Sequence, residues 1–331
     1  MIHLSASEPL VLAKSESRGH AWWAELLIFV LVFLIASTVM GFPVGIATSV
    51  WIFTSDTFAN IVAQFSLADT ADLSQSIPQI TSALFASMPA WLTLVSLFAD
   101  ALTIAVCLVY CRVIEKRSIR SVGFTRHGFA KEYALGFLIG AGLLAAAFAI
   151  SALTGSVKLT GFNTAVAFPK LLGMLILFLL GYMIQGMAEE VLCRGYFMLS
   201  FARKSPVWAA ILISSLIFSL LHLANSGVSF LALFNIFLYG IVMGVCILRR
   251  GSIWMAGAIH SAWNFTQGNL LGMQVSGSVT KITLFTSVQT SSASIWNGGA
   301  FGPEGGLAVT IVLVFALATF LFLPVRKKES V

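Results

Sequence analysis

Residues 171–201 read LLGMLILFLLGYMIQGMAEEVLCRGYFMLSF, and this stretch decides the architecture. Residues 171–188 carry no charged side chain. A helix needs roughly 20 predominantly apolar residues to span the hydrocarbon of a bilayer. The run then meets Glu189, Glu190 and Arg194 and continues apolar to Phe201. A charge inside a span costs about 2.5–3.5 kcal/mol on insertion scales, so each of these side chains needs a reason. Glu190 and Arg194 are four apart with the acid N-terminal, the favourable order for a same-face helical pair. Glu189 is turned about 100° from its neighbour on a helix. One carboxylate can therefore be neutralised by Arg194 while the other faces elsewhere.

The rest of the chain has the same character. Of 331 residues, 58% are hydrophobic and 10% charged, and the mean hydropathy is +0.95. A soluble protein of this size needs far more charge to cover its surface. The pattern predicts an all-α polytopic membrane protein, a single transmembrane domain over 1–331 with about eight spans and a motif-bearing core at about 170–271. Further spans are read at 26–50, 91–111 (with Asp100 inside), 134–153, 253–271 and 306–324. Between Lys204 and Arg249 the only titratable side chains are His222, Tyr239 and Cys246. That interval is too long for one span, and Ala224-Asn225-Ser226-Gly227 is the natural turn dividing it into two. Gly240 and Gly244 on the second of these form a GxxxG face suited to close helix packing. Part of 73–88 has the pattern of a surface-lying amphipathic helix.

The formal charge is +6. The basic residues sit in short loops, so membrane orientation explains them better than nucleic acid does. Residues 1–24, 112–132, 191–206, 249–250 and 326–331 hold 16 Lys and Arg, against three in the alternate set: Lys158, Lys170 and Lys281. The positive-inside rule then places both termini in the cytoplasm. The first apolar run is too long for a signal peptide and reads as a retained span. Cys107, Cys111, Cys193 and Cys246 include no CxxC pair, so neither a disulfide framework nor a zinc knuckle is expected.

Two histidines lie in apolar settings. His222 follows Phe218 by four residues on the fifth span, and His260 precedes Asn264 by four on the seventh. A lone intramembrane histidine is often a hydrogen-bonded packing residue. Two of them with a Glu pair and an Asn ask for chemistry. Glu189 precedes Ser205 by 16 residues, and His222 follows Pro206 by 16. Across a Ser205-Pro206 turn the two fall at equal depth, about 24 Å along each helix. This predicts a contact between Glu189 and His222. His260, ten residues past Arg250, agrees less well in depth.

Glu189-Glu190-Val191-Leu192-Cys193-Arg194 fits EExxxR, Phe218 to His222 fits FxxxH, and His260 to Asn264 fits HxxxN. In that order on successive helices, over about 180–270, these resemble the motifs of the CAAX-protease and bacteriocin-processing (Abi) family of intramembrane glutamic endopeptidases. The resemblance implies a hydrolase acting on a peptide or protein substrate at the lipid bilayer, with no cofactor or metal. Glu189 would be the general base that activates water. His222 would hold the same water. His260 and Asn264 would donate to the oxyanion. Glu190, Arg194 and Phe218 would brace the site. Bacterial members carry Gly-rich segments similar to Phe301–Gly306, which implies a bacterial cytoplasmic membrane. The motif itself reads as a structural turn, since no P-loop Lys accompanies it.

Other readings stand beside this one. Two His and a Glu could bind zinc, but no HExxH places a ligand pair on one helix. Cys193 could be a nucleophile, though buried thiols are usually inert. Asp100 could mark a proton path in a transporter, although no inverted half-repeat is visible. A binding or immunity protein could keep the motifs without using them.

Overall fold

The computed structural model describes residues 4–66, 84, 87–126, 128–290 and 295–322. The chain is a multi-pass helical membrane protein. Its helices are α1 (Glu8–Glu16), α2 (Trp22–Thr54), α3 (Asp56–Ser66), α4 (Ala90–Val109), α5 (Phe129–Leu153), α6 (Phe168–Glu190), α7 (Val207–Leu220), α8 (Phe230–Arg250), α9 (Trp254–Phe265) and α10 (Leu307–Phe322). The 73–88 segment read as amphipathic lies largely outside the described residues, as does the basic C-terminus. In addition to the all-helical pattern expected, a two-stranded antiparallel sheet joins β1 (Val157–Phe162) to β2 (Phe285–Gln289). It ties the connection after α5 to the connection before α10.

Among the described residues, five helices are long and apolar enough to cross a membrane: Trp22–Thr54, Ala90–Ile114, Phe129–Leu153, Phe168–Phe201 and Phe230–Arg250. The apolar α7 and α10 have only 14 and 16 residues. At 1.5 Å per residue these fall short of the ~30 Å hydrocarbon thickness. Every residue of α9 from Met255 to Phe265 is buried, so this helix is enclosed by protein rather than lipid. It packs between α5 and α6. The approach to α5 is so close that a Cβ on Gly136 would lie 2.5 Å from the Met255 carbonyl. On α8, a Cβ on Gly240 would lie 2.8 Å from the Ser215 side chain and one on Gly244 3.2 Å from the Met198 sulfur, so the GxxxG face packs closely there.

At the end that carries the basic loops, the positive side chains do more than orient the chain. Arg203 bridges the buried carboxylates of Glu25 (2.8 Å) and Glu115, and Arg117 pairs with Glu115 (2.5 Å) and donates to Ser200 Oγ (2.8 Å). This network clamps the start of α2 and the loop after α4 onto the end of the α6 segment. Arg117, Arg194, Arg203 and Arg249, all counted in the positive loops, are buried.

Candidate active site

The site is built where α6 and α9 cross. A Cβ on Gly186 would stand 2.6 Å from the Ser261 backbone nitrogen, so only glycine permits this approach. It brings Glu189 and Glu190, about one turn further along α6, against His260. His260 Nδ1 lies 2.9 Å from Glu190 Oε1, and Nε2 lies 3.6 Å from Glu189 Oε2. An ionised carboxylate can only accept. Nδ1 therefore donates to Glu190, and the Nε2 end is presented to Glu189.

The two acids have different surroundings. Glu190 Oε1 also accepts from Arg194 Nη1 at 3.2 Å, and both side chains are fully buried. Glu189 is 31% exposed, and among the described residues no Lys or Arg forms an ion pair with it. One of its oxygens accepts from Gln185 Nε2, and Gln185 Oε1 in turn accepts from Asn264 Nδ2 at 2.9 Å. Asp100 on α4 is near enough to interact with Glu189 electrostatically. Past Glu190 the helix widens into a π-helical segment, Val191–Met198, and past Asn264 a second one runs over Thr266–Leu270. Such widened turns re-aim side chains and recur at functional sites.

Phe218 is the hub between the motifs. The Arg194 guanidinium carbon sits 4.1 Å above its ring centre, a cation–π contact. The same ring meets the imidazoles of His222 and His260 edge-on, at 4.9 and 6.1 Å between centres. His222 departs from expectation in two ways. Helix α7 ends at Leu220, so His222 lies in the following turn, its Nδ1 bonded to the Phe218 carbonyl at 2.8 Å. It also makes no contact with Glu189; the imidazole beside that acid is His260. Equal depth places two residues on one level but says nothing of their azimuth, and the short α7 ends before the level is reached.

A cavity of about 30 Å³ opens beside these groups, lined in part by His222, Tyr239, His260, Asn264, Ser276 and Glu304. Glu189 does not line it. His260 thus stands between the exposed carboxylate on one side and this polar cavity on the other. Cys193 is buried in the apolar core and belongs to neither. Sequence reasoning missed Gln185 and Glu304. Gln185 carried a usable signal, an amide four residues before Glu189 inside an uncharged run. Glu304 carried none, because only the folded loop brings it near His222.

Among the described residues, the one grouping of His and acidic side chains at metal-ligand spacing is His20, Glu25 and Glu115, remote from this site and already bridged by Arg203.

The fold and site define a helical membrane protein with a buried acid–histidine cluster at its centre. Residues 170–266 match the family model described as type II CAAX prenyl endopeptidase Rce1-like. The match covers the three motifs up to Asn264 and agrees with the resemblance they carry. Searches of curated proteins and of solved structures found no match.

Proposed function

We propose that this chain is an intramembrane endopeptidase that hydrolyses a peptide bond near the membrane with a glutamate-activated water. The observation that carries the reading is the placement of His260 between two carboxylates of unlike environment. Glu190, neutralised by Arg194, holds the ring. Glu189, partly exposed and uncompensated, is free to take a proton. A carboxylate with no full counter-charge, held within hydrogen-bond reach of a water, can act as general base toward it.

His260, rather than His222, is the imidazole placed to share the water of Glu189. His222 and Asn264 face the cavity beside it, where donors to a tetrahedral oxyanion are needed. Such donors typically supply about 3–4 kcal/mol each. Their present bonds, to the Phe218 carbonyl and to Gln185, hold both side chains in place. The cavity itself is too small for a peptide, so substrate reaches the site from the exposed side of Glu189. The chain sits in a bacterial cytoplasmic membrane with both termini inside and about eight helical passes, α7, α9 and α10 completing the five long ones.

The test uses the full chain in liposomes with a fluorogenic peptide ending in a prenylated CAAX sequence, and a second, unprenylated peptide. Cleavage by the native protein, abolished in Glu189→Gln and unaffected by chelators, supports the proposal. Equal cleavage by Glu189→Gln, or inhibition by a chelator reversed by zinc alone, sinks it.

A further inference from the structure

Glu304 sits in a one-turn 3-10 helix just before α10, in the connection that closes over the cavity. It is only 9% exposed. Three separate segments fix it in place. Its Oε2 accepts from the Ser276 backbone N–H at 2.7 Å and from Ser276 Oγ at 3.1 Å. The Gln267 side chain, in the π-helical segment after α9, donates to the Gln274 carbonyl at 2.6 Å and acts electrostatically on the same carboxylate. Asn235 on α8 donates to the Glu304 carbonyl at 2.7 Å.

A buried carboxylate is costly unless its charge is compensated. His222 is near enough to act on it electrostatically. Burial pushes the Glu304 carboxyl above the ordinary range, while the Ser276 and Gln267 donors and His222 pull it back. The hydroxyls of Tyr182 and Tyr239 also feel its charge, and His260 is flanked on its other side by Glu189, Glu190 and Arg194. Both His222 and Glu304 line the same cavity of about 30 Å³. One water needs about 10–15 Å³ of such space. Because Nδ1 of His222 is bonded to the Phe218 carbonyl, Nε2 is its free nitrogen.

We propose that Glu304 is a positioning residue of the site, its carboxylate acting on His222 across the cavity through a bridging water. A carboxylate there, bridged by one water, holds the ring with its Nε2 toward the cavity. A purely structural cap has no need of the charge, since a Gln side chain presents the same acceptor to Ser276. The use of this arrangement in catalysis rests on the endopeptidase reading; the carboxylate–water–imidazole arrangement itself does not.

The experiment therefore reads His222 directly. The full chain in detergent is treated with diethyl pyrocarbonate across pH 5–8, and modification at each histidine is followed by peptide mass spectrometry, with His20 as internal control. Only neutral imidazole reacts. In Glu304→Gln, His222 should react severalfold faster near pH 6.5 and its midpoint should move to lower pH, with His20 unchanged. Ser276→Ala, which keeps the charge, should leave the midpoint near native. An unshifted midpoint in a folded Glu304→Gln protein overturns the proposal, as does an equal shift in Ser276→Ala. If Glu304→Gln does not fold, Glu304→Asp decides: withdrawing the carboxylate by one methylene must move the His222 midpoint, and an unmoved one overturns the assignment. None of these readouts needs a substrate, so a failure of the endopeptidase reading is seen separately.

Discussion

His260 Nδ1 and Glu190 Oε1 are 2.9 Å apart, joining α9 to α6 at the centre of the protein. The same oxygen takes Arg194, so Glu190 serves two buried donors while its neighbour Glu189 serves none that carries a full charge. This division gives the two adjacent acids opposite mutational signatures. Glu190→Gln leaves Arg194 buried without its counter-charge, which typically costs about 3–5 kcal/mol. Glu189→Gln should leave thermal stability nearly native while abolishing cleavage. Melting curves of both variants in one detergent check this, and equal losses of stability would contradict the assignment.

Gln185 links Glu189 to Asn264, so the three should behave as a unit. Gln185→Ala and Asn264→Ala should each lower turnover by about tenfold or more. Their double mutant should fall well short of the product, with a coupling of about 0.5–3 kcal/mol in a double-mutant cycle. Strict additivity would show that the bridge has no role in turnover.

The raised Glu304 carboxyl makes a pH prediction. A group whose proton affinity is higher folded than unfolded stabilises the fold below its unfolded pKa, and that contribution is lost as pH rises through the folded value. Stability should therefore decline from the acidic side toward neutrality. Glu304→Gln, which cannot ionise, should flatten that dependence and raise the melting temperature at pH 7. A native melting temperature that climbs over the same range, or a Gln variant that melts lower at pH 7, counts against the burial argument.

Orientation can be read with single cysteines because all four native thiols are buried. Val279 is 73% exposed in the connection before α10, and Ile119 is 48% exposed in the basic loop after α4. With the positive loops inside, Val279→Cys should label with an impermeant maleimide in intact cells, and Ile119→Cys only after permeabilisation. The reverse pattern inverts the topology.

The helical character was legible in the uncharged runs, and so were the turns that flank α7. Ser205-Pro206 and Ala224–Gly227 do turn the chain on the two sides of α7. Helix lengths were less legible. Hydropathy continues past Leu220 to Leu223, yet the chain turns there, because a turn's position depends on what the loop packs against. The loop bases carried a meaning beyond orientation. Arg117 and Arg203 look like any orienting positive charge until folding brings Glu25 and Glu115 to them from distant parts of the chain.

Within the site, the Glu190–Arg194 pair was determined by sequence alone, since both partners ride one helix and helical spacing is a local property. The three motifs likewise marked which side chains gather. Which histidine meets Glu189 was decided only in three dimensions. A depth count along two helices leaves their rotation and crossing free, and these were set by Gly186 yielding to Ser261 and by α7 stopping short. Glu304 and Gln267 entered for the same reason: contacts between segments far apart in sequence depend on packing, and packing leaves no local trace in the order of residues.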